Sequence, residues 1–480
     1  MYESMTSGLL WVCVDINFDA TLSESDNVKS LLESCAEKVL TDVCLLKDHT
    51  KTLPRPVYQA LLEKALEKRR VLSIGELIRF YPEKKFVLPL PLPIKSHDLF
   101  IRPTKEVCDS LVNLKDNALV ALSSYFKIIK KETINTNLHI LDLNILPMHL
   151  NAVRRVCSFL LNDLKGHKVS STYTIRMGCI IDGYEELMTL IKAKEAATET
   201  NVNFVIPSLL LSYERFFEDS LISLFEKMRE DELCHFSLHF ASVHPSLTRT
   251  CLMLKKFQNV RSLSLSYVPI QLAEEPGSLH ALAETLNSLP NLQRIRLNGN
   301  NLSSCMHILF KNFCRNDFTY AKSEERVSDC CIVHRGKLQL LDVSSCELTS
   351  DDLSFLTELP LSTTLKSLDL SYNRLNLSWL SECMKAMSNN LVVLQVEKSI
   401  PKLSLLDENF PKLSAMKNIK YLNIRGLEAE ELVLANFISD ELRKMPDLQG
   451  IALSRPIGIV DCEHLEYLIN LERTVKFLWA

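Results

Sequence analysis

A repeating α/β solenoid of leucine-rich repeats, led by a helical N-terminal region, is the fold this sequence predicts. The first observation is a spacing. LxxLxLxx(N/C)xL occurs at Leu292, Ile295, Leu297, Asn300 and Leu302, then at Leu338, Leu341, Val343, Cys346 and Leu348. A third copy runs through Leu365, Leu368, Leu370, Asn373 and Leu375. The second observation is a period: from Leu338, the starts at Leu365, Leu391, Ile419 and Leu448 follow at 27, 26, 28 and 29 residues. That length holds a strand and a helix per repeat. The third is the Asn or Cys position, which points inward, where Asn can satisfy backbone groups of the turn.

Taken in order, residues 1–25 form an N-terminal segment expected to be poorly ordered, and 26–130 a helical region. Helices are predicted over Asp26–Leu40, where Asp26 and Asn27 supply caps, and over Arg55–Arg70, where Pro54 suits the first turn. Another is predicted over Ser73–Tyr81, with Ser73 and Glu76 as a capping box and Pro82 as its stop. A fourth covers Thr104–Lys130, interrupted around Lys115–Asn117, and the Pro-rich Leu88–Ile94 reads as an extended connector.

Residues 131–460 are assigned to repeats. Weaker copies begin at Leu138, Leu233 and Val260; between the first two the pattern is degenerate, though Tyr173–Ile181 and Asn203–Leu210 read as strands. The Leu292 repeat is 46 residues long, and the surplus at Arg315–Gly336 reads as a polar surface loop. Cys314, Cys330, Cys331 and His334 lie there without a CxxC, which is a poor zinc pattern. A solenoid needs caps at both ends. The helical region supplies one, and a helix over 461–480, with Leu465, Leu468 and Leu471, is expected to supply the other.

Composition narrows the function classes. Hydrophobic content of 46% and charged content of 24% are those of a folded soluble protein. A net charge of −4 gives no footprint for nucleic acid. The 11 glycines form no phosphate-cradling loop, and 15 scattered cysteines suggest reduced thiols in cytoplasm or nucleus. No apolar run is long enough for a transmembrane helix. No nucleophile elbow, HExxH or paired-acid motif points to an enzyme, and no metal or cofactor is implied.

Two N-terminal patterns carry the functional reading. Ser30, Leu31, Cys35 and Val39 read SLxxxCxxxV, with the last three on one helical stripe. Leu53, Pro54, Val57 and Leu61 read LPxxVxxxL just downstream. In that order they resemble an elongin-binding box followed by a cullin-2 box. The pairing marks substrate receptors of cullin-RING ubiquitin ligases, and it implies elongin C with elongin B, and cullin-2 with its RING subunit, as partners. Two ordinary core helices are the competing reading. LPRP at Leu53–Pro56 also resembles the LPxP of cullin-5 boxes, but Gln59 stands where that pattern wants an apolar residue.

The order of parts resembles the PRAME and leucine-rich repeat-containing protein 14 family. The resemblance runs from about Val28 through LPRPVYQALLEKAL (Leu53–Leu66), FYP (Phe80–Pro82) and LHILDL (Leu138–Leu143) to SRPIGIVDCEHL (Ser454–Leu465). It implies a horseshoe of repeats, receptor duty in a cullin-2 ligase, and roles in dampening transcription or inflammatory signalling. A plain scaffold that sequesters a signalling or transcription factor is the alternative. Strand alternation turns Arg294, Arg296, Asn298, Asp342, Asp369, Tyr421 and Arg425 outward onto the concave face. That face should be basic at its start and acidic in its middle, with Tyr421 as its exposed aromatic, and these residues are the candidate client contacts.

Overall fold

The computed structural model describes residues 36, 38–40, 46, 53–68, 70–88, 105–131, 138–148, 150–212, 218–239, 248–268, 276–310, 338–353, 356, 364–376, 390–399, 416–427, 431–454 and 475–479. These divide into two compact units, Met1–Leu211 with Ser223–Leu233, and Ser212–Ile222 with Cys234–Ala480. The N-terminal segment 1–25, residues 89–94 of the connector and the 315–336 insertion lie outside the described residues.

The first unit opens with helices α1 (Arg55–Glu67) and α2 (Val71–Arg79), strand β1 (Lys85–Val87) and the long helix α3 (Lys105–Lys131). Pro54 immediately precedes α1, where its missing N–H costs nothing. α2 begins two residues earlier than the capping box predicts. Ser73 lies inside the helix, and its hydroxyl donates to the Leu40 carbonyl at 3.2 Å instead of capping. α3 is continuous through Lys115–Asn117, where a break is expected from sequence. Asn117 is buried and its Nδ2 donates to the Leu66 carbonyl at 3.0 Å, so a residue that reads as a helix breaker is a tertiary link.

The unit continues with β2 (Ile140–Met148), α4 (Leu150–Ser158), β3 (Tyr173–Ile181), α5 (Tyr184–Glu199), β4 (Val202–Val205) and β5 (Ser208–Ser212). All pairings among β1–β5 are parallel, with helices in the crossovers. Tyr173–Ile181 is a strand over the predicted range. The strand predicted at Asn203–Leu210 is two: β4 pairs the first half of β3 and β5 the second. The break falls at Ile206-Pro207, since Pro207 has no N–H to give the ladder. The Ile206 N–H donates instead to Glu232 Oε1 at 2.6 Å.

The second unit is the regular one. Strands β6 (His235–His239), β7 (Ser262–Ser266), β8 (Arg294–Arg296), β9 (Leu340–Asp342), β10 (Ser367–Asp369), β11 (Val393–Gln395), β12 (Tyr421–Asn423), β13 (Gly450–Leu453) and β14 (Lys476–Trp479) pair in sequence order, all parallel. Each start read from sequence at Leu233, Val260, Leu292, Leu338, Leu365, Leu391, Ile419 and Leu448 sits two residues before its strand. The motif leucines Leu263, Ile295, Leu341, Leu368, Leu394 and Leu422 occupy one register row, all essentially buried. This is a leucine-rich repeat fold. β14 is a departure: residues 476–479 are a further rung where a cap helix is expected, pairing in parallel with β13.

The inward Asn position behaves as its chemistry requires. Asn373 is buried; its Nδ2 donates to the carbonyls of Val343 and Leu370, each at 2.9 Å. Its Oδ1 accepts from the N–H groups of Cys346 at 3.1 Å and Leu348 at 3.0 Å. One side chain thus ties its own rung to the preceding one. Asn300 makes the same donor contacts, to Leu265 and Leu297. Ser399 fills the position one rung after Asn373, its hydroxyl donating to the Leu370 carbonyl and accepting from the Asn373 N–H.

Candidate docking surfaces

Of the elongin-box residues, Val39 is described; Ser30, Leu31 and Cys35 lie outside the described residues. Val39 is helical and half-buried, whereas Ala36 and Leu40 are buried. At about 100° per residue, Val39 stands on the flank of the face that the helix turns inward. The cullin-box residues divide in the same way. Leu61 is buried together with Tyr58, Leu62, Ala65 and Leu66, which make the core face of α1. Leu53 and Val57 are half-buried and Pro54 exposed, so the flank of α1 keeps apolar surface accessible. Gln59 is exposed, and its Nε2 donates to Glu63 Oε1 at 3.1 Å.

The other candidate is the face of the second unit's sheet opposite the leucine row, here termed the open face. Register places Arg296 beside Asp342, Asp342 beside Asp369, Asp369 beside Gln395, and Gln395 beside Asn423. These residues are less exposed than alternation alone suggests. Arg294, Arg296 and Asp342 are buried, while Asn298, Asp369 and Arg425 are half-buried. Tyr421 is not the exposed aromatic that the pattern predicts: it is 5% exposed, and its hydroxyl donates to Gln449 Oε1 at 2.9 Å. Neighbouring rungs lie only about 4.8 Å apart, so long side chains on one face cover one another. His239 lies against the Ser237 hydroxyl at 2.5 Å, and burial with Arg296 pushes its pKa down to about 4. The basic start of the face therefore rests on the arginines and not on this imidazole.

Two carboxylates on adjacent rungs set the electrostatics of the middle. Burial raises Asp342, and Arg296 and Ser344 partly oppose that. Burial, then the neighbouring Asp342, pushes Asp369 up to about 8, with Glu397 of β11's turn adding to the rise and Ser371 opposing it. An Asp is ordinarily near 4 when the chain is unfolded. The folded state therefore keeps a proton that the unfolded chain has lost, so this stabilising contribution is full below about pH 4 and vanishes as pH rises through about 8. Asp369→Asn should accordingly leave stability nearly unchanged at pH 5 and raise it at pH 9. Urea midpoints at pH 5, 7 and 9 check this; an unchanged slope between wild type and variant refutes it.

What the strand pattern alone did not expose is a turn position that follows each strand, directly after β7 and three residues after each of β8–β12. Tyr267, Gly299, Ser345, Tyr372, Lys398 and Gly426 occupy it in successive rungs, with φ of 52°, 73°, 55°, 60°, 51° and 81°. The repeat geometry demands this left-handed conformation whether or not the residue is glycine. Tyr267 and Tyr372 are 45% and 48% exposed, and they share this one repeat position. The signal was in the sequence as the residue two places after the third motif leucine.

Among the described residues, no group of three or more His, Cys, Asp or Glu is placed to hold a metal ion. No described helix is long and apolar enough to cross a membrane. Neither a protein-family model nor a curated protein matches the sequence. Solved structures that resemble it include an internalin of Listeria monocytogenes, InlF, at 13% identity and a TM-score of 0.34, covering 69% of this chain and 95% of its own. A leucine-rich repeat protein of Leptospira interrogans matches at 13% identity and a TM-score of 0.32, covering 95% of this chain and 100% of its own. The leucine-rich repeat-containing protein LegL7 of Legionella pneumophila matches at 14% identity and 0.30, covering 82% and 99%. At such TM-scores the fold class rests on the repeat geometry above.

Proposed function

We propose that this chain is the substrate-recognition subunit of a cullin-2-RING ubiquitin ligase. In this reading Ser30, Leu31, Cys35 and Val39 dock elongin C, which brings elongin B. Leu53, Pro54, Val57 and Leu61 dock cullin-2 with its RING subunit, and the repeats hold a protein client. The observation that carries it is the tandem order of the two box patterns at helical spacing. The half-buried flank positions of Val39, Leu53 and Val57 support it, as does the resemblance to the PRAME and leucine-rich repeat-containing protein 14 family. A receptor of this kind supplies no chemistry of its own. Cullin-2 is preferred to cullin-5 because Gln59 is polar and exposed where the latter's pattern wants an apolar residue.

One observation favours a second reading, a non-catalytic scaffold that sequesters a signalling or transcription factor. Leu61 is fully used within the chain's own helical core, as an ordinary amphipathic helix would use it. Affinity purification of the full chain followed by mass spectrometry separates the two. Leu31→Ala with Cys35→Phe should remove elongins B and C and, with them, cullin-2, while the thermal transition of the repeats stays in place. Each change acts on a close apolar contact, by truncation at one position and overfilling at the other. Retention of elongins by the double variant, or cullin-5 enriched over cullin-2 with the wild type, would overturn the assignment.

A further inference from the structure

The open face of the second unit carries no acid on its first three strands. Register aligns His235, Ser262 and Arg294 in one row, and Ser237, Ser264 and Arg296 in the next. A third row sets His239 beside Ser266, whose hydroxyl donates to Asn298 Oδ1 at 2.5 Å, just past β8. That bond uses the single hydroxyl hydrogen of Ser266, so Ser264 is the donor in their 2.9 Å contact. A donor chain thus runs from Ser264 through Ser266 to Asn298. It fixes the amide and leaves Nδ2 as the donor at its end. Every open-face position of β6–β8 is Ser, His or Arg, across roughly 10 Å of sheet. Arg294 and Arg296 stand two residues apart on one strand, roughly 7 Å, close enough to serve one small anion together.

The charge of this array is positive and lasting, since arginine stays protonated even out of water. Arg296 is felt as a cation at His239, where it adds to burial in keeping the imidazole neutral. The acid beside Arg296 is Asp342 on β9, and burial works against its charge. The β9 neighbour of Arg294 is Leu340, which brings no charge. Arg294 and Arg296 are 4% and 8% exposed, so they lose little further hydration to an incoming anion. Ser237, His239 and Asn298 are half-buried and keep the array open to solvent on their side. A phosphate monoester carries about −1.5 to −2 charge and three acceptor oxygens, which matches two guanidinium forks and an amide donor. A single carboxylate would offset only one of the two cations. We infer that β6–β8 bind a phosphoserine or phosphothreonine of the client, held by Arg294 and Arg296 with Asn298 as a further donor. The inference rests on the repeats being the client-binding part, as proposed above, and is independent of the two boxes.

The test uses the full chain and fluorescence anisotropy with a labelled Gly/Ala decapeptide carrying one central phosphoserine. The same peptide with serine or glutamate at that place, and a labelled uridine decanucleotide, are the comparisons. The phosphoserine peptide should bind at least about tenfold more tightly than either other peptide. Arg294→Gln with Arg296→Gln should cost at least about tenfold. Asn298→Asp should cost as much, because it puts a negative oxygen where the amide donates. It also keeps the acceptor for Ser266 at a half-buried position, so its thermal transition should stay in place and it decides the matter if the arginine pair unfolds. Equal binding of the glutamate peptide, tighter binding of the oligonucleotide, no effect of Asn298→Asp, or no binding at all would each overturn the inference. Co-purification of elongins and cullin-2 with the Asn298→Asp chain, run in parallel, reads the receptor assignment separately.

Discussion

Glu232→Gln is expected to destabilise the first unit by about 3–5 kcal/mol, the cost of stranding a buried ammonium. Glu232 is wholly enclosed, with its side chain 0% exposed. Its Oε1 accepts from Lys194 Nζ at 2.5 Å and from the Ile206 N–H at 2.6 Å, and its Oε2 from the Arg229 N–H at 3.2 Å. Lys194 also donates to the Phe204 carbonyl. Burial lowers Lys194, and Glu232 is the principal group that opposes the fall. A lysine depressed in the folded state binds fewer protons there than in the unfolded chain. Its contribution to stability therefore rises with pH between the depressed value and the ordinary one near 10.4. Removing Glu232's charge depresses Lys194 further, so the deficit of the variant should narrow between pH 7 and pH 10. Lys194→Met added to Glu232→Gln should recover most of the loss, because it removes the stranded charge and keeps an acceptor for Ile206. Denaturant titrations of the single and double variants decide this; a deficit below about 1 kcal/mol, or no recovery, would show that water reaches the pair.

Asn373→Ala should cost a similar amount, about 3–5 kcal/mol, in the second unit. The substitution leaves the N–H groups of Cys346 and Leu348 and the carbonyl of Val343 short of a partner, while the Leu370 carbonyl keeps the Ser399 hydroxyl. Each buried polar group left unsatisfied costs on the order of 1–3 kcal/mol, with local relaxation recovering part. Asn373→Ser should be milder, since Ser399 does the same work with one hydroxyl in the next rung. Hydrogen exchange in the Ser344–Thr349 turn reports the effect directly. Unchanged protection of the Cys346 and Leu348 amides in the Ala variant would refute the role given to this side chain.

The regular part of the fold was legible because one spacing encodes it. Wherever LxxLxL recurs, the leucines fall on one register row, and a strand follows at a fixed offset even when the Asn position is lost, as at Leu391 and Ile419. What was not legible depended on contacts far away in the chain. Asn117 reads as a breaker until Leu66 is seen to use its amide. Ser73 reads as a cap until Leu40 is seen to take its hydroxyl. The 476–479 strand was hidden by leucines with helical spacing just before it. On the open face, alternation gives direction but not exposure: it points Tyr421 outward, yet neighbouring rungs cover it. The exposed tyrosines lie beyond the strands, Tyr267 one residue past β7 and Tyr372 three past β10, at a turn whose backbone, rather than its hydropathy, marks it out.

Cys346 stands where Asn300 and Asn373 stand in their rungs, and a thiol is a poor substitute for an amide. Its Sγ donates to the Leu297 carbonyl at 3.1 Å, but sulfur is a weak acceptor for the amides of the preceding turn, which Asn would bind well. In a quasi-one-dimensional array, stability is set by each rung and by its tie to the next. The side-chain tie between the third and fourth strands of the second unit thus lacks the two amide bonds that Asn373 accepts in the next one, and the 46-residue repeat falls at the same place. The solenoid carries its longest insertion between two rungs that the backbone ladder joins with a thiol in place of an amide, and opening there would free β6–β8 from the rungs that follow.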